Sequence, residues 1–275
     1  MKGWKHREKK TIFLIGIFLL PGVVQVAAES PETANSARWG ISIGYSFTGY
    51  REETDLHLNR FLNTFTFIVN GYITRGFFFH TLNIGFFRGE NDAIMAYPID
   101  TNWGEPLEPG NQYFTYYQTD HTFTRGYGEY ALGRRLWGNR EFPGYLGGAF
   151  RVDVYLLETL NNYLYTSLTT IASLNLHASQ EWIINANNNL VFSASFPIFG
   201  YAVRPNYIGF ILPIETGFIS LHNYLAIFGD LQYRYKINAV LSLSTGLGFE
   251  FSRISFPRPR RDAIFRMSAG IAFTF

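Results

Sequence analysis

Hydrophobic and polar residues alternate one by one over long stretches of this 275-residue chain. In the segment 39–48, Trp, Ile, Tyr and Phe residues alternate with Gly, Ser and Thr. The segment 265–275 likewise alternates mostly large apolar residues with small or polar ones. A period of two places the two sets on opposite faces of a β-strand. A face of large apolar residues opposite a face of small ones is typical of the wall of a narrow barrel.

The N-terminal 28 residues have the features of a secretory signal peptide. Basic residues within positions 2–10 precede an apolar run at 12–20, and Val26-Ala27-Ala28 offers a cleavage site before Glu29. The run is too short to cross a bilayer, which needs roughly 20 helical residues, and a short retained anchor is the alternative. We therefore expect a signal peptide at 1–28 and one β-barrel domain at 29–275.

Ten segments with the alternating pattern predict ten strands, an even number that places both ends of the chain on one side of a membrane. Short turns alternate with longer connections, and we expect the short turns on the periplasmic side. Trp39, Trp137 and Trp182 fall at that end, where an aromatic girdle is expected. An apolar run at 208–214, inside the connection 200–220, leaves twelve strands open. The predicted strands are 39–48, 61–73, 77–88, 115–136, 144–157, 166–183, 190–199, 221–236, 239–252 and 265–275.

The signal peptide, the hairpin rhythm over 37–275 and the closing Ile271-Ala272-Phe273-Thr274-Phe275 resemble bacterial outer-membrane β-barrel proteins. The resemblance implies a closed antiparallel transmembrane β-barrel in the outer membrane, with both termini in the periplasm. Phe273 and Phe275 would then form the signal that the barrel-assembly machinery recognises. Outer-membrane lipid and lipopolysaccharide are the other expected partners, and the oligomeric state is left open. The alternative is a soluble secreted β-sandwich.

Charge and cysteine content exclude several function classes. The chain has 23 basic and 21 acidic residues, and removing 1–28 leaves 18 and 20, a net charge of −2. This balance gives no electrostatic reason to expect nucleic acid as a partner. There is no cysteine, which excludes disulfides, thiolate metal sites and lipid attachment at a cleavage-site cysteine. The six histidines are scattered, and we expect neither a metal nor a cofactor.

Several charged residues fall on the face that is predicted to line the lumen. Buried charges must pair or stay hydrated, so we expect a mesh of salt bridges across the lumen, with a narrow hydrated conduction path as the alternative. The predicted lumen residues are Arg125, Glu129, Arg151, Asp153, His177, Glu181, Asp230, Arg234, Glu250 and Arg266.

A hydrolase is the alternative to a non-enzymatic role. His177, Ser179 and Glu181 could supply the base, nucleophile and acid of a lipid deacylase. Successive members of this set lie about 6.6 Å apart along one strand, however, so partners from other strands would be required.

The chain also resembles the ten-strand outer-membrane proteases, the omptins, in its length and in external acidic residues near a histidine. The residues that carry this resemblance are Asp55, His57, Glu90 and Asp92, and an Asp–His pair could activate water. The pattern departs from the omptin one, because there is no Asp-x-Asp pair and the Asp-x-His precedes the acidic pair. We therefore favour a non-enzymatic role and assign no catalytic residue.

The external loops differ in charge. The connections 50–60 and 89–114 are acidic, whereas the last external loop carries Arg258, Arg260 and Arg261. Barrel closure makes the first and last loops neighbours, so we expect them to dock over the mouth, or the arginines to bind lipid A phosphates. The sequence thus favours a small barrel with a structural, ligand-binding or limited-transport role through its loops and polar lumen. The alternatives are an outer-membrane hydrolase and a narrow pore for small solutes.

Overall fold

The computed structural model describes residues 36–52, 58–75, 77–99, 113–138, 142–159, 167–205, 214–257 and 259–274. The predicted signal peptide lies outside these residues. The described chain contains no helix long and apolar enough to cross a membrane. Its strands are β1 (Ser36–Glu52), β2 (Leu58–Arg75), β3 (Phe78–Ile99), β4 (Tyr113–Trp137), β5 (Gly144–Thr159), β6 (Ser167–Asn185), β7 (Asn188–Pro205), β8 (Ile214–Ser220), β9 (Tyr224–Lys236), β10 (Leu241–Ile254) and β11 (Arg260–Thr274).

Ten of these strands close into an antiparallel barrel, which confirms the predicted fold. The ring runs from β1 through β7 and then β9, β10 and β11. It closes where β1 pairs with β11, from Arg38 opposite Thr274 to Glu52 opposite Arg260. Closure gives each strand of the ring a partner on both sides, so the backbone hydrogen bonds of the wall are made within the protein.

The short strand β8 is additional to the ring. It pairs with residues 199–205 of β7, whereas β9 pairs with residues 188–195 of the same strand. The prediction that 200–220 is one loop is therefore wrong, because β7 continues to Pro205 and β8 occupies 214–220. Pro205 lies at the end of β7, where a missing backbone N–H is tolerated, so this proline marks the end of a strand and not its absence.

The β3–β4 hairpin projects beyond the wall at the end opposite the short turns. The pairing of β2 with β3 ends at Phe65 opposite Arg88, and that of β4 with β5 at His121 opposite Thr159. The β3–β4 pairing continues to Ile99 opposite Tyr113. Much of the predicted loop 89–114 is therefore strand. We call this end of the barrel the loop end and the opposite one the turn end.

The outer surface of the barrel is apolar over its middle. Outward-facing side chains such as Ile43, Phe65 and Met267 are 65%, 74% and 60% exposed. At the turn end Trp39 lies over Gly71, where a Cβ would be 2.5 Å from the indole ring. Trp137 lies there too and donates from Nε1 to Gln180 Oε1 at 2.7 Å. Large apolar groups thus face outward, as they do on barrels surrounded by lipid.

The interior has three levels. An apolar cluster fills the level nearest the loop end, charged side chains fill the middle, and a smaller aromatic cluster lies towards the turn end. The first cluster consists of Phe123, Tyr155, Ile171, Ala202, Ile219, Tyr224, Ala226, Phe228 and Ile254, with Phe256 packed against it. The third consists of Phe79, Ala131, Tyr145 and Ala149, with Tyr72 packed against it.

Candidate functional site

The middle level of the lumen holds a closed ring of two arginines and two carboxylates. Arg125 Nη2 lies 2.5 Å from Asp153 Oδ1 and 2.6 Å from Glu250 Oε2. Arg151 reaches the same two acids, with Nε 2.8 Å from Asp153 Oδ2 and Nη2 3.1 Å from Glu250 Oε2. Each charge therefore has two partners of opposite sign, which offsets the loss of hydration.

This ring joins opposite walls of the barrel. Arg125 belongs to β4, and Arg151 and Asp153 belong to the adjacent β5. Glu250 belongs to β10, which lies five strands from β4 in either direction around the ten-strand ring. The ion pairs between Arg125 and Glu250 and between Arg151 and Glu250 therefore span the full width of the lumen.

Aromatic rings surround the two guanidinium groups. Arg151 Cζ lies 4.3 Å from the centroid of the Tyr127 ring and 3.9 Å from that of Phe228. Arg125 Cζ lies 4.8 Å from the centroid of Tyr155. These faces attract the cations and exclude water, so the ring of charges is held in place by packing as well as by ion pairs.

Arg266 extends the charged level towards the turn end. Its Nη2 lies 2.9 Å from Asp230 Oδ1, and its Nη1 lies 3.8 Å from Glu250 Oε1. Asp230 is the most exposed member of the network, with 37% of its side chain accessible. Arg234 instead contacts Gln232 Oε1, 2.8 Å from its Nε, and lies near the Tyr72 ring.

Among the predicted lumen residues, the two partners of each described ion pair come from different strands, with the exception of Arg151 and Asp153. Arg125 pairs with neither Glu129 nor any other residue of β4 among those described, and Asp230 pairs with Arg266. Residues four apart on a strand are separated by about 13 Å, which no direct ion pair can bridge. The structure thus places the predicted lumen residues inside the barrel, and their pairing follows from the closed topology.

His177, Ser195 and Glu129 form a second buried contact, at the turn-end side of the ring. Ser195 Oγ donates to Glu129 Oε1 at 3.2 Å, and His177 Nδ1 lies 2.7 Å from Ser195 Oγ. Which of His177 Nδ1 and Ser195 Oγ donates in this contact depends on the tautomer of the imidazole. In a serine hydrolase the histidine lies between serine and acid, whereas here the serine lies between the other two.

The predicted deacylase set is not assembled in this structure. His177 contacts Ser195, which lies on β7 and was not among the predicted residues. Glu181 accepts a hydrogen bond from Asn189 Nδ2 at 2.6 Å. Ser195 is one of several inward-facing serines, and only the β6–β7 register identifies it, since this places it opposite His177.

A cavity of about 100 Å³ lies between the ion-pair ring and the turn end. This volume has room for several water molecules. Glu129, Arg151, His177 and Ser195 are among its lining residues, together with Asn70, Tyr72, Asn83, Asp230, Gln232, Arg234, Glu250 and Arg266. Within the described residues, no group of three or more His, Asp or Glu side chains is arranged to hold a metal ion.

The predicted arginine group of the last loop is divided between the two faces of β11. Arg260 is only 2% exposed, and its Nε lies 3.0 Å from Asp262 Oδ1 inside the barrel. Arg261 is exposed, because consecutive residues of a strand point to opposite faces. Arg258 lies outside the described residues. Glu52 is in register with Arg260, so barrel closure does bring the ends of the first and last loops together.

The protease candidates lie at the edge of what the structure describes. Asp55 and His57 are outside the described residues. The backbone of Glu90 and Asp92 lies in the projecting part of β3, in register with Thr122 and Asp120 of β4, and their side chains are not described. The predicted assembly signal consists of Phe273 and Phe275. Phe273 lies in β11, opposite Trp39 of β1, and Phe275 is outside the described residues.

Comparisons with known proteins place the chain among membrane barrels by fold alone. The sequence matches no protein-family model and none of the curated proteins. The outer membrane protease OmpT from Escherichia coli is similar in structure with a TM-score of 0.57 and 9% identity, over 90% of this chain and 99% of that one.

Two further solved structures are also matched, with lower TM-scores. Ail of Yersinia pestis, in complex with the heparin analogue sucrose octasulfate, has a TM-score of 0.31 at 10% identity, over 87% of this chain and 99% of that one. Neisserial surface protein A has a TM-score of 0.34 at 9% identity, over 86% and 97%. At these identities the OmpT comparison shows the barrel fold only, and the other two carry no argument.

Proposed function

We propose that this chain is a bacterial outer-membrane β-barrel that has a closed lumen and acts by binding through its external loops. The observation that carries the proposal is the ring of Arg125, Arg151, Asp153 and Glu250, which joins opposite walls of the barrel. The apolar outer surface and the fold similarity to an outer-membrane protein support the location. The apolar cluster above the ring supports the closed lumen.

Two successive barriers support a non-conducting barrel over a pore. An ion that entered from the loop end would first meet the apolar cluster around Phe123, Tyr155 and Tyr224. It would then have to separate buried ion pairs in which no side chain is more than 8% exposed. Breaking such pairs leaves uncompensated buried charges, which is strongly unfavourable. This leaves the loop end as the part of the molecule that is free to contact partners.

Planar-bilayer conductance tests the closed lumen. The wild-type barrel is expected to give no stepwise current. The variant Arg125→Ala/Glu250→Ala/Phe123→Ala/Tyr224→Ala, which removes one cation and one anion from the ring and shortens two members of the apolar cluster, is expected to give small steps. Arg134→Ala changes an exposed arginine on the outer face and serves as the control that must stay silent. Regular steps from the wild-type protein would show instead that the lumen is a pore.

A protease at the loop end is the second candidate, and one observation favours it. Glu90 and Asp92 lie on the part of β3 that projects beyond the wall, in a ten-strand barrel similar in fold to the protease OmpT. Carboxylates beside a histidine could activate water for peptide hydrolysis. Cleavage of a mixed peptide library that is lost in both His57→Ala and Asp92→Asn, but kept in Glu215→Gln, would support this candidate. A null result with the folded wild-type barrel would exclude the protease activity for that library.

A further inference from the structure

Three arginines lie side by side on neighbouring strands at the loop end. Arg261 of β11 is directly opposite Arg51 of β1 on one side and directly opposite Arg253 of β10 on the other. Neighbouring strands are about 4.8 Å apart, so the three Cα atoms lie within about 10 Å. We call Arg51, Arg253 and Arg261 the arginine row.

The arginine row belongs to the outer face of the barrel. Arg253 and Arg261 are exposed, and Phe251 and Phe265 on the same face are 41% and 52% exposed. The adjacent residues towards the loop end, Ile254 after Arg253 on β10 and Arg260 before Arg261 on β11, are buried inside the barrel. Residues directly opposite one another share a face, so the register assigns position 51 to the outer face as well.

Such a row is unfavourable unless an anion is bound to it. Like charges directly opposite one another on adjacent strands destabilise a sheet. Inside the barrel, Arg260 has Asp262 as its partner. On the outer face, the described residues form no ion pair with Arg253 or Arg261, and the next residue across the sheet is the exposed Leu225. The row therefore concentrates positive charge at the loop-end edge of the apolar outer surface.

We propose that the arginine row binds the phosphate groups of a phosphorylated glycolipid of the lipid A type in the outer leaflet. Guanidinium groups match phosphate oxygens with paired hydrogen bonds, and the exposed Arg253 and Arg261 on adjacent strands suit a headgroup with more than one phosphate. The apolar residues below, Phe251, Phe265 and Met267, offer a surface for the acyl chains. This inference stands independently of the closed lumen, because it concerns only the outer face.

The test compares thermal stability with and without lipid for Arg253→Gln/Arg261→Gln. In nonionic detergent the wild-type melting temperature is expected to rise when diphosphorylated lipid A is added. The double variant is expected to lose more than about half of that rise, because both of the exposed guanidinium groups described in the row are gone. Without lipid it is expected to be at least as stable as the wild type, since repulsion across the sheet is relieved. A smaller lipid-induced rise together with unchanged or higher stability without lipid distinguishes a binding role of the arginines from a structural one.

The matched control is Arg75→Gln/Arg134→Gln, which removes two exposed arginines at the turn end and is expected to keep the full rise. Arg253→Lys/Arg261→Lys keeps the charge, is expected to retain part of the rise, and replaces the glutamine variant if that one does not fold. Phosphatidylglycerol vesicles and inorganic phosphate are expected to give smaller rises than lipid A. An equal rise in the wild type and in the glutamine variant would overturn the proposal. An equal response to phosphatidylglycerol would overturn the assignment to a glycolipid.

Discussion

Arg125 Nη2 and Asp153 Oδ1 lie 2.5 Å apart in the centre of the barrel, and neither side chain is more than 1% exposed. Two fully dehydrated charges are stable here because each has a further partner, Glu250 for Arg125 and Arg151 for Asp153. The network stabilises only as a whole, since removing one member leaves the others buried without compensation.

Asp153→Asn is therefore expected to lower the free energy of unfolding by about 3–5 kcal/mol, because two buried guanidinium groups lose a charged partner. Asp230→Asn is the matched control, since Asp230 is 37% exposed and pairs with Arg266 near the cavity. Its cost is expected to be at most about 1 kcal/mol. Urea unfolding in lipid vesicles, followed by tryptophan fluorescence, measures both, and equal losses would contradict the argument.

A glycine is required at position 85 because an aromatic ring occupies the space that any side chain there would fill. A Cβ at this position would lie 2.1 Å from Tyr127 Cε1, and Tyr127 in turn packs against Arg151. Gly85→Ala is expected to cost about 1–3 kcal/mol through overpacking. Gly126→Ala, at a position where nothing lies within 4 Å of the added carbon, is the control and is expected to be close to neutral. Denaturant midpoints of the two variants measure the difference.

Ser195 holds His177 and Glu129 together, with Oγ 2.7 Å from His177 Nδ1 and 3.2 Å from Glu129 Oε1. Ser195→Ala is expected to destabilise the barrel by about 1–3 kcal/mol, because two buried polar groups lose a hydrogen bond. Ser193→Ala changes the next inward serine of β7, whose hydroxyl makes no hydrogen bond with the described residues. If both variants unfold at the same urea concentration, the serine contributes no binding energy to this contact.

The apolar belt predicts a dependence of stability on depth in the membrane. Phe67 is 46% exposed near the middle of β2, and Ile73 is 40% exposed on the same face near the turn end. Phe67→Arg is expected to cost about 2–4 kcal/mol and Ile73→Arg about 0–1 kcal/mol, since a charge costs most at the centre of the bilayer. Unfolding in lipid vesicles provides the comparison. A larger loss of unfolding free energy for Ile73→Arg than for Phe67→Arg would show that the apolar belt is centred nearer the turn end.

The alternation of residue types was sufficient to predict the barrel. In β11 the outward Phe265 and Met267 and the inward Arg266 follow from period two alone. The same rule separates Arg260 from Arg261, so the idea of one arginine group was already at odds with the strand pattern. The prediction of a single loop at 200–220 was wrong because β7 continues to Pro205 and a further strand, β8, occupies 214–220.

The contacts inside the barrel could not be predicted in the same way. Which residues face inward depends on local spacing, whereas which of them meet depends on the register of strands far apart in sequence. Arg125 and Glu250 are 125 positions apart, and Ser195 meets Glu129 across 66. No feature of a single sequence indicates that the members of either pair contact each other. The arginine row is similar, because Arg51 and Arg261 become neighbours only when the first strand pairs with the last.

The participation of Glu250 in the central ring has a consequence for the order of assembly. Arg125 and Arg151 on β4 and β5 precede Glu250 on β10 by about a hundred residues in the chain, and Arg266 on β11 comes later still. A partly inserted sheet that lacks β10 and β11 holds two guanidinium groups with Asp153 as their only ring carboxylate. The second ring carboxylate therefore arrives only with β10, so an intermediate without β10 has an excess of positive charge in this ring that the closed barrel lacks.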